Sequence, residues 1–185
     1  MKLTKKQTAA LNQIIDHERC LNEKYNRGGA GLHPSREQFA ITDGTAVVIF
    51  DEKPEGFPDA PEIELFSKYI EDYLKDDRGV LVEGVNIVEE CKRNIREWKQ
   101  AHNLGKPAFP HITLSTMDDR GNKVEAQFNA QLVKAVVEAV GTGAMVYLGK
   151  DMAHNFPYPC MMVRKKNWME GEDDYRGFLL PCRPM

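Results

Sequence analysis

A short β-hairpin near the start of the chain is the feature that most constrains its fold. Two segments with strand-like residues, 38–42 and 45–50, are separated only by Asp43 and Gly44. An Asp-Gly pair tolerates the positive φ angles of a two-residue type I′ turn, and such turns match the twist of the strands that they join. The sequence therefore predicts an antiparallel pair of strands with Asp43-Gly44 at its turn.

Helical spacing marks most of the segments between the predicted strands. Thr4 and Gln7 fit a capping box, in which the threonine hydroxyl accepts from the Gln7 amide and the glutamine side chain reaches back. A helix is predicted to start there and to end near Tyr25. Apolar residues at helical intervals predict three further helices, at about 61–74, 86–100 and 129–140. Asn129 is expected to cap the last of these, and Gly141 to end it.

The remaining predicted elements are strands and turns. The glycine-rich segment 26–31 is predicted to be a loop, because glycine loses the most conformational freedom on ordering. Apolar patterning predicts strands at about 80–82, 112–116, 123–128, 144–148, 160–166 and 175–180. The chain then consists of a helix and hairpin, a helical insertion at about 54–110, and a hairpin followed by a helix and three strands. This order predicts an α+β fold with antiparallel sheets.

Length and charge exclude several classes of protein. The 185 residues are expected to form one domain, 1–185, because domains average about 150 residues. The net charge of −3 gives no general attraction to nucleic acid or to anionic lipid. The longest apolar run, Ala46–Phe50, is far shorter than the roughly 20 residues that span a membrane. Four widely spaced cysteines without a C-x-x-C pair are typical of reduced thiols, so we expect a cytoplasmic protein without membrane contact.

Neither metal binding nor catalysis has a sequence signature in this chain. The five histidines have no ligand spacing with one another or with the cysteines, so no metal or other cofactor is expected. The nucleophile motif G-x-S-x-G is absent, and no cysteine lies in a recognisable catalytic motif. We therefore expect that the protein is not an enzyme.

Basic residues on three predicted helices are candidates for contact with duplex DNA, because lysine and arginine neutralise phosphates. One group lies on one side of the helix at 86–100, and the others lie on the polar faces of the first and last helices. Acidic residues alternate with them, so we expect limited phosphate neutralisation. The candidate DNA-binding residues are Lys5, Lys6, Lys134, Lys92, Arg96 and Lys99.

Four short motifs follow one another along the chain. They are Ile41-Thr42-Asp43-Gly44, Gly56-Phe57-Pro58-Asp59, Phe128-Asn129-Ala130-Gln131-Leu132 and the terminal Leu180-Pro181-Cys182-Arg183. In this order they resemble four motifs of the bacterial DNA sliding clamp. The first two are the t-D-G hairpin and the g-x-F-P-d segment of its domains. The last two are the start of the helix in its last domain and the motif that ends its chain. That protein is the beta subunit of the replicative DNA polymerase. The resemblance covers about half of the chain, and it is best over roughly the last 60 residues.

The resemblance implies one DNA-clamp-like domain of two β-α-β-β-β units, with the segment at about 54–110 as an insertion. It also implies a non-enzymatic processivity or replication accessory protein. Sliding clamps bind short apolar peptides of replication proteins in a groove that includes their C-terminal residues. They encircle duplex DNA as closed rings, so a homo-oligomer is implied as well. Carried over by position, the peptide-binding groove comprises Leu179, Leu180, Pro181, Cys182 and Arg183.

Two other functions are compatible with the residues. Aromatic and polar residues are dense in segment 154–160, which would suit a small-molecule enzyme or ligand-binding domain with a pocket there. In the second alternative, the insertion at about 54–110 is the interface of a structural assembly module. The sequence does not separate these two alternatives from one another.

Overall fold

Three helices and nine strands make up the described part of the chain. The computed structural model describes residues 1–25, 29–33, 38–57, 79–101, 107–149, 159–165 and 175–182. The helices are α1 (Lys5–Tyr25), α2 (Ile87–Gln100) and α3 (Ala130–Val140). The strands are β1 (Gly29–His33), β2 (Gln38–Thr42), β3 (Ala46–Phe50), β4 (Gly79–Leu81), β5 (His111–Met117), β6 (Lys123–Asn129), β7 (Ala144–Gly149), β8 (Met161–Lys165) and β9 (Tyr175–Leu179).

Seven of these strands form one antiparallel sheet, in the order β1-β2-β3-β9-β8-β7-β4. Strands β5 and β6 form a separate antiparallel hairpin. On one side, Oγ1 of Thr116 on β5 donates a 2.7 Å hydrogen bond to the Leu81 carbonyl of β4. On the other side, the Cys182 N–H donates to the Gln127 carbonyl of β6 at 2.7 Å. Hydrogen bonds therefore join both strands of the small hairpin to the rest of the fold, β5 to the edge strand β4 and β6 to the residues that follow the central strand β9.

Helix α3 lies at the centre of this arrangement. It packs against α1, against α2 and against strands β3, β6, β7, β8 and β9. The Asn129 side chain caps its start by accepting from the Gln131 N–H at 2.9 Å, and Gly141, with a φ of 94°, ends it. Both boundaries are as predicted. All but three of its eleven residues are buried, so α3 is a core element rather than a surface helix.

The centre of the large sheet is buried on both faces, which explains the unbroken apolar run of β3. Ala46, Val48 and Phe50 belong to the main core, which also contains the buried helix residues. Val47 and Ile49 belong to a second buried cluster on the opposite face. A strand covered on both sides carries apolar residues at every position instead of alternating with polar ones. The other buried members of the second cluster are Ala40, Met162 and Phe178.

The α+β class and most of the predicted elements are confirmed. The capping box is formed, because the Thr4 N–H donates to Oε1 of Gln7 at 3.1 Å and the Gln7 N–H donates to Oγ1 of Thr4 at 3.2 Å. The predicted strands of the second half of the chain all occur within a residue or two of their predicted limits. The predicted helix at 61–74 lies outside the described residues.

The order of elements differs between the two halves. The second half runs β6-α3-β7-β8-β9, which is a strand, a helix and three strands. The first half runs α1-β1-β2-β3, and residues 1–4 ahead of α1 form no strand, because Thr4 caps the helix there. The prediction of two β-α-β-β-β units is therefore wrong for the first half, in the residues that the structure describes. The described part of the segment at 54–110 adds β4 at one edge of the large sheet and α2, whose Ile87 and Cys91 lie in the main core.

The turn of the predicted hairpin is shifted by one residue. Thr42 pairs with Val47, so the two residues at the turn are Gly44 and Thr45. Gly44 has a φ of 89°, a value that glycine adopts without strain. The prediction that Asp43 and Gly44 form the turn is therefore wrong. The physical reason is that Asp43 closes the turn with its side chain, which accepts from the Ala46 N–H at 2.6 Å.

The prediction of a glycine-rich loop is also wrong for residues 29–31. They belong to β1, which pairs with β2 from Gly29 opposite Thr42 to His33 opposite Gln38. Strand pairing satisfies backbone donors and acceptors whatever the side chain, and this offsets the entropic cost of ordering glycine. Residues 26–28 of the predicted loop lie outside the described residues.

Gly177 on β9 marks a close approach of α3 to the sheet. A methyl group at this position would lie 2.6 Å from Cγ1 of Val136 and 3.3 Å from Cγ2 of Val140. Non-bonded carbons are optimally separated by about 3.5–4.0 Å, so an alanine would force the helix and the sheet apart. We expect Gly177→Ala to lower the free energy of unfolding by about 1–3 kcal/mol, measured by urea denaturation.

Gly149→Ala is the matched control for this prediction, because Gly149 is also a strand glycine. Its added methyl group would meet the flexible end of Met162 at 3.4 Å, a contact that can relax. We expect it to cost less than about 1 kcal/mol. Equal losses for the two variants would contradict the close packing of α3 on β9.

Candidate functional site

The C-terminal segment, residues Leu180–Cys182, directly follows β9 and lies between two other elements. The Leu180 N–H donates a 2.9 Å hydrogen bond to the carbonyl of Thr45, at the turn between β2 and β3. The Cys182 N–H donates to the carbonyl of Gln127 on β6. Backbone hydrogen bonds therefore hold the segment at both ends.

The predicted groove residues differ in how far they reach the surface. The Leu179 side chain lies in the main core, with 1% of its surface exposed, and Pro181 is also buried. Leu180 and Cys182 are half-buried, so these two residues present surface that a partner can contact. Partial burial raises the pKa of the Cys182 thiol. Arg183 lies outside the described residues.

A buried carboxylate holds the turn beside the C-terminal segment. Oδ1 of Asp43 accepts from the Thr45 N–H at 2.7 Å, from the Thr45 hydroxyl at 2.9 Å and from the Ala46 N–H at 2.6 Å. Its Oδ2 lies 2.6 Å from Nδ1 of His17 on α1. The Asp43 side chain has no exposed surface, whereas that of His17 is 30% exposed. Burial of a carboxylate is costly unless its oxygens are hydrogen-bonded, and here both of them are.

Sequence reasoning did not identify the pair of His17 and Asp43. The spacing of the histidines indicates no site, and the predicted hairpin uses only the backbone of Asp43. The two residues are 26 positions apart, one on a helix and one at a turn, so no local spacing signals their contact. One sequence signal for the role of Asp43 does exist, namely an aspartate directly before Gly44 and Thr45. Aspartate side chains in such turns commonly accept a hydrogen bond from the backbone N–H two residues further on.

The candidate DNA-binding residues lie on the helical layer, which consists of α1, α2 and α3. In this layer the buried Glu138 of α3 contacts two lysines, Nζ of Lys134 at 2.7 Å and Nζ of Lys6 at 3.4 Å. The structure therefore brings Lys6 and Lys134 together, but it does so around a shared carboxylate. That carboxylate offsets part of the positive charge that a phosphate would meet.

Charges on α2 also pair within the layer. Nζ of Lys92 lies 2.6 Å from Oε1 of Glu89, and Arg93 contacts Glu90. The hydrogen bond between Lys92 and Glu89 lowers the pKa of the glutamate and raises the pKa of the lysine. Within the described ranges, the candidate residues that form no ion pair with a carboxylate are Lys5, Arg96 and Lys99, although Arg96 is near enough to Glu89 to help lower the pKa of that carboxyl.

Other kinds of site are not found in the part of the chain that the structure describes. There, no three His, Cys, Asp or Glu side chains are grouped so that they could hold a metal ion. None of the described helices is both long and apolar enough to cross a membrane. Of the alternative pocket at 154–160, residues 154–158 lie outside the described residues, and Cys160 is buried.

Comparisons with known proteins identify no relative. No protein-family model, curated protein or solved structure matches the chain.

The charge pairing of the helical layer predicts weak, weakly salt-dependent binding to duplex DNA. With Lys5, Arg96 and Lys99 as the unpaired candidates, about three phosphates can be neutralised, so the slope of log affinity against log salt should be no steeper than about −3. Fluorescence anisotropy of a labelled duplex across a KCl series measures this slope. A slope of about −5 or steeper would contradict this account of the layer.

Cys91 predicts a loss of stability at alkaline pH. Burial between α2 and α3 raises the pKa of its thiol from 9.0 to about 12, and the nearby Glu90 adds to the effect. Above pH 9 the unfolded chain releases a proton that the folded chain retains, so the free energy of unfolding falls as the pH rises towards about 12. Urea denaturation between pH 7 and pH 11 should show a shallower decline for Cys91→Ala than for the wild type. Parallel declines would contradict the assignment to this thiol.

Proposed function

We propose that the chain is a non-enzymatic, DNA-clamp-like accessory protein that binds short apolar peptides at its C-terminal segment. The observation that carries the proposal is the meeting of two sequence motifs in space. The Thr42-Asp43-Gly44 hairpin and the Leu180-Pro181-Cys182 ending are both similar to sliding-clamp motifs and lie far apart in sequence. The hydrogen bond from the Leu180 N–H to the Thr45 carbonyl brings them side by side.

The order of elements in the second half supports the same proposal. A clamp-like unit consists of a strand, a helix and three strands, and β6-α3-β7-β8-β9 has this order. The proposed first unit starts at α1 and contributes its helix and three strands. The two halves meet where β3 pairs with β9, and the C-terminal segment continues from that junction.

The chemistry of the segment favours an apolar peptide as its partner. Leu180 is apolar and half-buried, and the neighbouring Cys182 thiol is uncharged at neutral pH, since burial raises its pKa further above its usual value. Neither residue carries a charge, so a partner gains affinity mainly by covering apolar surface. The two backbone hydrogen bonds of the segment also favour binding, because a restrained segment loses less conformational freedom when the partner docks.

Duplex DNA is the weaker partner in this proposal. Lys6 and Lys134 share Glu138, and Lys92 is paired with Glu89, so few basic groups remain for phosphates. Encirclement of DNA would also require self-association into a closed ring of several copies. Light scattering with and without duplex DNA measures that property separately from peptide binding.

Leu180→Asp is predicted to abolish peptide binding while the fold is retained. The substitution places a charge on the half-buried apolar contact, and a peptide that covers this charge loses its hydration without replacement. The probe is a set of short apolar peptides selected by phage display on the wild-type protein. Fluorescence anisotropy should show a loss of affinity of at least about tenfold, and circular dichroism should show an unchanged fold.

Val85→Asp is the matched control, because Val85 is an exposed apolar residue outside the segment, with 51% of its surface accessible. The control should bind the selected peptides with wild-type affinity. Equal affinity of Leu180→Asp and wild type would exclude the C-terminal segment as the peptide site.

A further inference from the structure

We infer that His17 is a positioning residue for the C-terminal segment and thereby for the proposed peptide site. No hydrogen bond joins its side chain to the described residues of the segment. It acts through Asp43 and Thr45, which lie between them. The inference about segment order stands on the geometry alone, and its consequence for peptide affinity rests on the proposed function.

A continuous chain of hydrogen bonds connects α1 to the segment. Nδ1 of His17 contacts Oδ2 of Asp43 at 2.6 Å, and Oδ1 of Asp43 accepts from the Thr45 N–H at 2.7 Å and from the Thr45 hydroxyl at 2.9 Å. The Thr45 carbonyl then accepts from the Leu180 N–H at 2.9 Å. Two hydrogen bonds thus hold Thr45 in place, and both of them end on the carboxylate that His17 contacts.

The direction of the first hydrogen bond follows from the chemistry of its partners. An ionised carboxylate can only accept, so Nδ1 of His17 carries the proton and donates it to Asp43. The Asp43 side chain is fully buried while His17 covers it, so removal of the imidazole leaves Oδ2 without its fixed donor on α1. A carboxylate that exchanges a fixed donor for mobile water is less restrained, so it is expected to reorient and to weaken its hold on Thr45.

The hairpin itself has a second set of hydrogen bonds that do not involve Asp43. Oγ1 of Thr42 donates to the Ala46 carbonyl at 2.7 Å and accepts from the Gly44 N–H at 3.0 Å. Loss of His17 should therefore loosen the position of Thr45 without unfolding the hairpin. The expected effect is local, at the amide of Leu180.

Amide hydrogen exchange followed by NMR tests this inference within one molecule. The Leu180 amide is bonded to the turn, whereas the Cys182 amide is bonded to Gln127 on β6. His17→Ala is expected to speed exchange at Leu180 by about tenfold and to leave exchange at Cys182 within about twofold of wild type. Cys182 is the internal control, because a general loss of stability would speed both amides equally.

Two further variants separate the hydrogen bond that His17 makes to Asp43 from the packing of its side chain. In His17→Asn, the amide nitrogen takes nearly the place of Nδ1, so this variant should restore slow exchange at Leu180. Gln13→Ala is the control on the same helix, since it removes the contact of Nε2 with the Gln131 carbonyl at 3.5 Å but leaves Asp43 untouched. It should leave exchange at Leu180 unchanged.

The outcomes distinguish this inference from the proposed function. Unchanged exchange at Leu180 in His17→Ala, or equal acceleration at Leu180 and Cys182, would overturn the role of His17. If exchange changes as expected, His17→Ala should also weaken the selected peptides by about fivefold or more, and His17→Asn should restore their affinity. If His17→Ala speeds exchange at Leu180 but binds the peptides with wild-type affinity, the effect of His17 on segment order stands. Its consequence for peptide binding is then overturned. Unaltered peptide binding by Leu180→Asp would reject the proposed site and leave the exchange result intact.

Discussion

Helix α3 packs closely on the large sheet at residue 177, which has no side chain. Gly177 allows Val136 and Val140 to approach β9 more closely than any other residue would permit. The same helix contacts α1 and α2, and it begins immediately after β6. Its burial therefore joins the two halves of the chain into one core, and the apolar surface removed from water there is the main source of stability.

The placement of the C-terminal segment is a consequence of this packing. The close fit of α3 holds β9 against the helix and holds β6 at the N-terminal end of the helix. The chain that leaves β9 therefore passes between β6 and the turn that joins β2 to β3. Leu180 and Cys182 are then held by backbone hydrogen bonds from those two elements. The candidate site therefore depends on the core for its shape, while its exposed chemistry comes from few side chains.

Local signals in the sequence predicted local structure well. The capping box of Thr4 and Gln7 and the Asn129 cap depend on residues within a few positions of each other, and both are formed as predicted. Strand β1 was missed because its pairing with β2 overrides the unfavourable propensity of its glycines. The contact of His17 with Asp43 could not be predicted, because it depends on where α1 settles against the hairpin. For the same reason, the burial of Glu138 between two lysines has no signature in the order of charges.

The central claim is that apolar peptides dock on the C-terminal segment beside the hairpin turn. Titration of the isotope-labelled protein with a selected apolar peptide, followed by NMR amide shifts, tests it most directly. The account predicts the largest shifts at Thr45, Gln127, Leu180 and Cys182, with little change on the helical layer. Shifts confined to the helical layer, or to any surface away from the segment, would contradict it.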